Sequence, residues 1–121
     1  ATDFGDLTTK RYSPGGCSSS TRGLCGSGND GSPNYTNLTS VDYITIASTG
    51  NAADFGDLNS GGLTGIKVRG ASSETRGTFI KSRSIGYVTI ASLGDATDFG
   101  DLPGTSGETW GVNSNAHGGL Q

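Results

Sequence analysis

The chain has 121 residues, a net charge of −3, 22 glycines and an apolar share of 31%. That share is well below the roughly 45% usual in globular domains, and the acidic balance without lysine or arginine runs argues against a nucleic-acid partner. No apolar run approaches the roughly 18 residues of a membrane span, and no glycine-free stretch has the apolar period of a helix. These observations predict an all-β protein.

One long segment occurs twice in the sequence. VDYITIASTGNAADFGDL spans residues 41–58, IGYVTIASLGDATDFGDL spans residues 85–102, and the closing ATDFGDL also opens the chain at residues 1–7. We call the shared Asp-Phe-Gly-Asp-Leu sequence the box. Repeats of this length are typical of units that bury their apolar faces by stacking on neighbours. The sequence therefore predicts a repeat protein.

Each full repeat is predicted to contain four short strands. Two of them flank a Ser-Ser-x-Thr-Arg-Gly hairpin loop, the third is the Tyr-x-Thr-Ile segment and the fourth is the box. The polar segment 26–40 is a loop insertion that the second repeat lacks. Four strands in about 40 to 50 residues are typical of a propeller blade of the kelch or WD-repeat kind.

We accordingly predict four-stranded antiparallel propeller-type blades, two complete and two partial. Residues 1–7 are the terminal strand of a split blade, 8–58 and 59–102 are the complete blades, and 103–121 open a third. The chain begins at Ala1 within a repeat, which suggests processing or a longer parent. The incomplete ends predict a self-partner joined head to tail, as a ring if the rotation closes and as a filament if it does not.

The boxes carry paired aspartates, and the hairpin loops carry matched arginines, Arg22 and Arg76. We expect one aspartate of each pair to accept backbone N–H bonds and the other to pair with the arginine of its own repeat. A calcium site is the alternative for the aspartates, and exposed arginines that bind an acidic glycan are the alternative for the arginines. We assign no metal, because no D-x-D-x-D-G string occurs. The box residues given structural roles in the two repeats are Asp54, Phe55, Asp57, Asp98, Phe99 and Asp101.

The strings TIASTGNAADFGDL, SSSTRGL and SNAHGGL carry a resemblance to a known family. They resemble the kelch-like repeats in large structural proteins of tailed bacteriophages, notably those that infect cyanobacteria. The resemblance covers nearly the whole chain and implies a β-propeller-like fold in an extracellular or virion-surface protein such as a tail fibre. It implies a role in structure or attachment and carries over no catalytic residues. Such proteins carry many repeats, whereas this chain carries about two and a half.

Cys17 and Cys25 flank the first hairpin loop, opposite each other when the loop is centred on Thr21. In an extracellular protein this pair suggests a disulfide, worth about 2–3 kcal/mol through loop-closure entropy. The second repeat has Ala71 and Phe79 at the matching positions, so the fold does not require the pair. Two buried free thiols are the alternative.

Four further residues carry weaker signals. Asn34 and Asn37 begin adjacent Asn-x-Thr sequons and would be glycosylated only in a host that modifies its surface proteins. His117 is the only histidine and aligns with a turn position, and Trp110 is the only tryptophan, interpreted as a packing residue with sugar stacking as the alternative.

The sequence therefore favours a non-catalytic structural or adhesive repeat protein of a virion or extracellular appendage. The sequence has no G-x-S-x-G motif and no paired acid and base outside the repeated aspartates, so it gives no indication of an enzyme. No cofactor is expected. The alternative is a lectin-like propeller that binds cell-surface glycans through repeated loops such as Ser72–Gly77.

Overall fold

Two antiparallel sheets of four strands each make up the computed structural model, which describes residues 1–59 and 62–104. Strands neighbouring in sequence are also neighbours in each sheet, and the described residues contain no helix, hence none that could span a membrane. The all-β class and the four-stranded antiparallel sheets are confirmed. The first sheet comprises β1 (Gly15–Ser18), β2 (Arg22–Gly26), β3 (Ser40–Thr45) and β4 (Ala53–Asp57), and the second comprises β5 (Arg69–Ser72), β6 (Arg76–Lys81), β7 (Ser84–Thr89) and β8 (Thr97–Asp101).

The two repeats fold alike because the same residues close the same turns. In the first hairpin, the Ser19 hydroxyl oxygen accepts the Thr21 and Arg22 amides at 3.2 Å each. The Ser73 hydroxyl oxygen closes the second hairpin in the same way. Each sheet also has a register shift between its third and fourth strands: Val41 and Asp42 face Gly56 and Asp54 in one sheet, and the matching residues do so in the other. Such a shift increases strand twist, so the shared sequence specifies a shared sheet shape.

The hydrophobic core lies between the sheets. Neither sheet could bury this surface alone, which agrees with repeats that depend on stacking. Leu63 and Val68 of the connecting segment are fully buried within the core. The complete buried apolar set is Leu24, Val41, Phe55, Leu58, Leu63, Val68, Phe79, Val88 and Ile90.

Each sheet has two different faces, which we call front and back. The front face carries Tyr43 in the first sheet and Tyr87 in the second, and the back face carries Ile44 and Val88 at the matching positions. Side chains alternate between these faces along each strand. A Cβ added to Gly77, on the back of the second sheet, would overlap the Cys17 sulfur on the front of the first. The front of the first sheet therefore packs against the back of the second.

Residues 1–7 form no strand pair with either sheet. They lie against the turn that follows β3, as described below, and their place in a blade shared with another chain stays a prediction. The predicted third-blade opening, with Trp110 and His117, lies outside the described residues except for Pro103 and Gly104.

Candidate inter-repeat interface

The box of one repeat is hydrogen-bonded to the Gly-Asx-Ala turn of the next repeat. The Phe55 carbonyl oxygen accepts the Gly94 amide at 2.8 Å, and the Asp57 carbonyl oxygen accepts the Ala96 amide at 2.8 Å. The Asp57 amide in turn donates to the Asp95 carboxylate at 2.9 Å. Three hydrogen bonds thus join β4 to the turn before β8.

Residues 1–7 bind the turn at Gly50–Ala52, which follows β3, through the corresponding three hydrogen bonds. The Gly50 amide donates to the Phe4 carbonyl oxygen and the Ala52 amide to the Asp6 carbonyl oxygen, both at 2.8 Å. The Asp6 amide donates to the Asn51 side-chain oxygen at 3.0 Å. The box is therefore a connector between repeats, a role that the sequence analysis did not assign to it.

The glycine of the box is required by close approach of the turn. A Cβ on Gly56 would overlap the Gly94 carbonyl oxygen, and a Cβ on Gly5 would overlap the Gly50 carbonyl oxygen. Both glycines also have φ near +145°, at +147° and +143°, where side chains are disfavoured. The repetition of glycine at the centre of every box was the sequence signal for this contact.

Arginine, tyrosine and phenylalanine form a column on the front of each sheet. The Arg22 guanidinium lies 4.8 Å from the Tyr43 ring centre, and the Tyr43 and Phe55 rings meet edge to face at 6.0 Å. The second column, Arg76, Tyr87 and Phe99, has the corresponding distances of 4.6 Å and 6.0 Å. Cations over aromatic faces and edge-to-face rings both attract through the ring quadrupole.

The predicted ion pairs between these arginines and box aspartates are wrong. The single ion pair among the described residues lies elsewhere, and Arg22 donates instead to the Ile90 carbonyl oxygen at 2.8 Å. Arg22 therefore links the two repeats. An ion pair with a box aspartate of its own repeat would have made no such link. The planar guanidinium can stack on a ring and donate from its edge simultaneously, which explains this choice of partner.

The backbone N–H bond expected for one aspartate of each pair is present in two of the three boxes and, within the described residues, absent from the box of Asp54 and Asp57. The first aspartate accepts its own box glycine amide in Asp3 and Asp98, at 3.2 Å and 3.1 Å. Asp57 accepts the Thr39 hydroxyl at 2.8 Å, and Asp54 and Asp101 are exposed. Within residues 1–59 and 62–104, no group of three or more acidic, cysteine or histidine side chains could hold a metal.

The hairpin loops of the two repeats contact each other. The Ser20 amide and hydroxyl donate to the Glu74 carboxylate at 3.2 Å and 2.9 Å, and the Ser18 amide donates to the Ser72 hydroxyl at 3.2 Å. The loops that the sequence offered as equivalent binding sites are thus joined to each other at this edge of the interface.

A buried ion pair that the sequence analysis missed holds the residues before β1 on the back of the first sheet. Arg11 Nη2 lies 3.0 Å from Asp42 Oδ1, and both side chains are fully buried. Asp42 also accepts the Thr8 amide at 2.9 Å, and Arg11 donates to the Ser40 carbonyl oxygen at 2.9 Å. The available signal was an aspartate in an apolar strand where the other repeat has Gly86.

The predicted disulfide is wrong, and both cysteines are free. Cys17 lies opposite Leu24, and Cys25 lies opposite Gly16, so the two side chains point to opposite faces of the sheet. Cys17 enters the interface, where burial raises the pKa of its thiol to about 12. Burial also raises the pKa of Cys25, an effect that Arg11 opposes.

The inserted loop displays both sequon asparagines at the surface, where Asn34 and Asn37 are exposed. The Asp30 carboxylate organises this loop by accepting the Ser32 amide at 2.9 Å and the Thr36 amide at 3.1 Å. The Ser32 hydrogen bonds are the main cause of a lowered pKa at Asp30. Glycosylation of the two asparagines stays a prediction.

No protein-family model matches the sequence, and a search of curated proteins gives no significant match. The functional argument therefore depends on the interface itself and on the internal repetition of the chain.

Proposed function

We propose that this protein is a non-catalytic architectural repeat protein whose repeats stack front to back and whose copies join head to tail. The observation that carries the proposal is the heterologous contact between the sheets. The first sheet contributes its front face and the second its back face, so the contact uses two different surfaces. An interface of this kind can propagate, because it leaves the front of the second sheet and the back of the first outside it. The residues before β1 cover part of that back face.

The two faces outside the internal contact carry apolar residues whose counterparts in the other repeat are buried within it. Ile46 on the free back face is 45% exposed, whereas its counterpart Ile90 is 1% exposed. Phe99 on the free front face is 56% exposed, whereas Phe55 is 2% exposed. Exposed apolar side chains at both ends of a stack mark surfaces for further association.

Each sheet acts as a propeller-type blade in this proposal. Support comes from the close approach of the sheets at their first strands, where β1 contacts both β5 and β6. Blades that converge at their first strands fan around an axis, and the rotation per blade then decides between a ring and a filament.

The proposed setting is an extracellular appendage or virion surface, with attachment as the associated role, and its support is the sequence resemblance. The glycan-binding alternative predicts equivalent open loops. The hydrogen bonds between the Ser18–Gly23 and Ser72–Gly77 loops favour the architectural proposal over that alternative.

The test is the mass of the full chain by sedimentation equilibrium, with electron microscopy of the same samples. We expect multiples of the 12.2 kDa chain mass that increase with concentration, and rings or filaments in the images. Ile46→Lys should suppress assembly, and Tyr35→Lys, at a site that is 67% exposed in the inserted loop, should not. A folded chain that stays monomeric up to millimolar concentration would contradict the proposal, and dose-dependent glycan-array binding would favour the alternative.

A further inference from the structure

We propose that the free front face of β8 is a socket for the Gly-Asx-Ala turn of another repeat of this type, which a second copy of the chain presents at Gly50–Ala52. This inference rests on the proposed function and specifies the contact through which copies join. It follows from three boxes of the same sequence, of which two hold a turn and the third holds no turn from the part of the chain that the structure describes.

The third box has the shape of the other two but no occupant among the described residues. Tyr87 and Phe99 meet edge to face as their counterparts do, and Gly100 has a φ of +128°. A Cβ on Gly100 would meet no atom of the described residues within 4 Å, whereas the box glycines at Gly5 and Gly56 are each covered by a turn. Among residues 1–59 and 62–104, no turn is bonded to this box.

The occupant is defined by the bonds seen in the two filled sockets. It must offer two amide donors two residues apart and, between them, a side-chain oxygen that accepts the second box aspartate's amide. Gly-Asn-Ala at residues 50–52 and Gly-Asp-Ala at residues 94–96 are the occurrences of this pattern in the sequence.

The turn at Gly50–Ala52 is the one that can change partners. The turn at Gly94–Ala96 is held by β4, which contributes Phe55 to the shared core. The turn at Gly50–Ala52 is held by residues 1–7, which pair with no strand. Residues 1–7 and 96–102 have the identical sequence ATDFGDL, so the C-terminal box of one copy can replace residues 1–7 of another.

The internal segment has the advantage of being tethered. A segment in the same chain acts at an effective concentration in the millimolar range, so residues 1–7 outcompete a second copy in dilute solution. Thr78 also replaces Leu24 at the centre of the free front face, which makes the contact between copies less apolar than the internal one. Exchange should therefore be concentration-dependent, and release of residues 1–7 should promote it.

The experiment releases residues 1–7 in the full chain and measures mass. In Gly5→Val the added side chain overlaps the Gly50 carbonyl oxygen and frees the turn. We expect Gly5→Val to assemble to at least twice the mass of the double variant Gly5→Val/Gly100→Val, which should stay monomeric. Asp6→Pro, which removes the amide that bonds Asn51, is a second release variant if Gly5→Val does not fold.

Amide hydrogen exchange at Gly50 and Ala52 monitors the turn directly. Both amides should be protected in the wild type, exposed in the double variant and protected again in assembled Gly5→Val. Assembly of Gly5→Val that is unchanged by Gly100→Val would overturn the inference, as would a released variant that stays monomeric at millimolar concentration.

The same series separates this inference from the proposed function. Wild-type assembly that is insensitive to Gly100→Val would leave head-to-tail stacking in place and exclude the β8 socket. A monomeric wild type, with Gly5→Val assembly that depends on Gly100, would support the socket and contradict native head-to-tail assembly.

Discussion

Two arginines at matched positions provide a comparison within one molecule. Arg22 stacks on Tyr43 and donates to the Ile90 carbonyl oxygen, whereas Arg76 stacks on Tyr87 with its side chain at the free face. We predict that Arg22→Ala lowers the free energy of unfolding by about 2–3 kcal/mol, because it removes a charged hydrogen bond as well as the ring contact. Arg76→Ala removes the ring contact and should cost about 0.5–1 kcal/mol.

Urea unfolding of the two variants checks this prediction. The m-value should stay unchanged, so that the shift in midpoint reports stability alone. Equal losses for the two variants would mean that the bond from Arg22 to the second repeat adds nothing, and the account of Arg22 as a link between repeats would fail.

We predict that Cys17 lowers the stability of the protein as the pH becomes alkaline. Burial raises its pKa from 9.0 to about 12, so between these values the unfolded chain loses the thiol proton and the folded chain keeps it. The free energy of unfolding should therefore be unaffected by Cys17 below pH 9 and decrease as pH rises from 9 towards 12. Cys17→Ala, which introduces the residue found at Ala71, should remove that part of the decrease.

The measurement is urea unfolding of both proteins across that pH range under reducing conditions. Parallel curves for wild type and Cys17→Ala would contradict the prediction. Intact mass under oxidising conditions adds an independent check: because the two cysteine side chains lie on opposite faces, the folded chain should keep both thiol hydrogens.

At the scale of the strand, β4 and β8 have the same box in two environments. Gly56 and Gly100 have similar φ, +147° and +128°, but a turn covers Gly56, whereas none from residues 1–59 and 62–104 covers Gly100. Alanine at either position should cost about 1–2 kcal/mol in backbone strain. Gly56→Ala should cost about 1–3 kcal/mol more, since its Cβ overlaps the Gly94 carbonyl oxygen.

Thermal unfolding of the two variants in dilute solution, where no second copy of the chain contacts the β8 box, separates these contributions. Gly56→Ala should have the lower midpoint. Equal midpoints would indicate that the contact between β4 and its turn can accommodate a methyl group. Close approach of the turn would then not explain the glycine in the box.

The order of strands was predictable from sequence because turn residues and apolar alternation repeat in register. The serines of the hairpin loops, the third strand and the box each recur, and a signal seen twice specifies a strand more securely than one seen once. The side of the sheet to which the Cys25 side chain points was less predictable. Centring the loop on Thr21 differs from the observed pairing of Ser18 with Gly23 by half a residue, and such a shift sends one of the two cysteines to the other face.

The partners of the arginines and the occupant of the box were not predictable, since both belong to the neighbouring repeat. Sequence patterns within one repeat specify its own hydrogen bonds and turns. They carry little information on which atoms of the next repeat will lie opposite, such as the Ile90 carbonyl oxygen beside Arg22. The buried pair of Arg11 and Asp42 was missed for a related reason, because it occurs in only one of the two repeats.

For the whole molecule, the shared core predicts that both sheets unfold together. Phe79 belongs to the second sheet and is fully buried between the sheets, where it lies against Gly26 of the first. Phe79→Leu should reduce the free energy of unfolding by about 1.4 kcal/mol and accelerate amide exchange about tenfold in both sheets equally.

Phe99→Leu is the matched control, because Phe99 is 56% exposed and should leave exchange in both sheets nearly unchanged. Mass-spectrometric exchange on peptides from β2–β3 and from β6–β7 reads the two sheets separately. If Phe79→Leu accelerated exchange in β6–β7 alone, each repeat would be an independent folding unit. Stacking would then occur only after each repeat had folded. A loss of protection shared by both sheets would instead mean that the repeats fold only when they are stacked, as a repeat protein with its core between sheets requires.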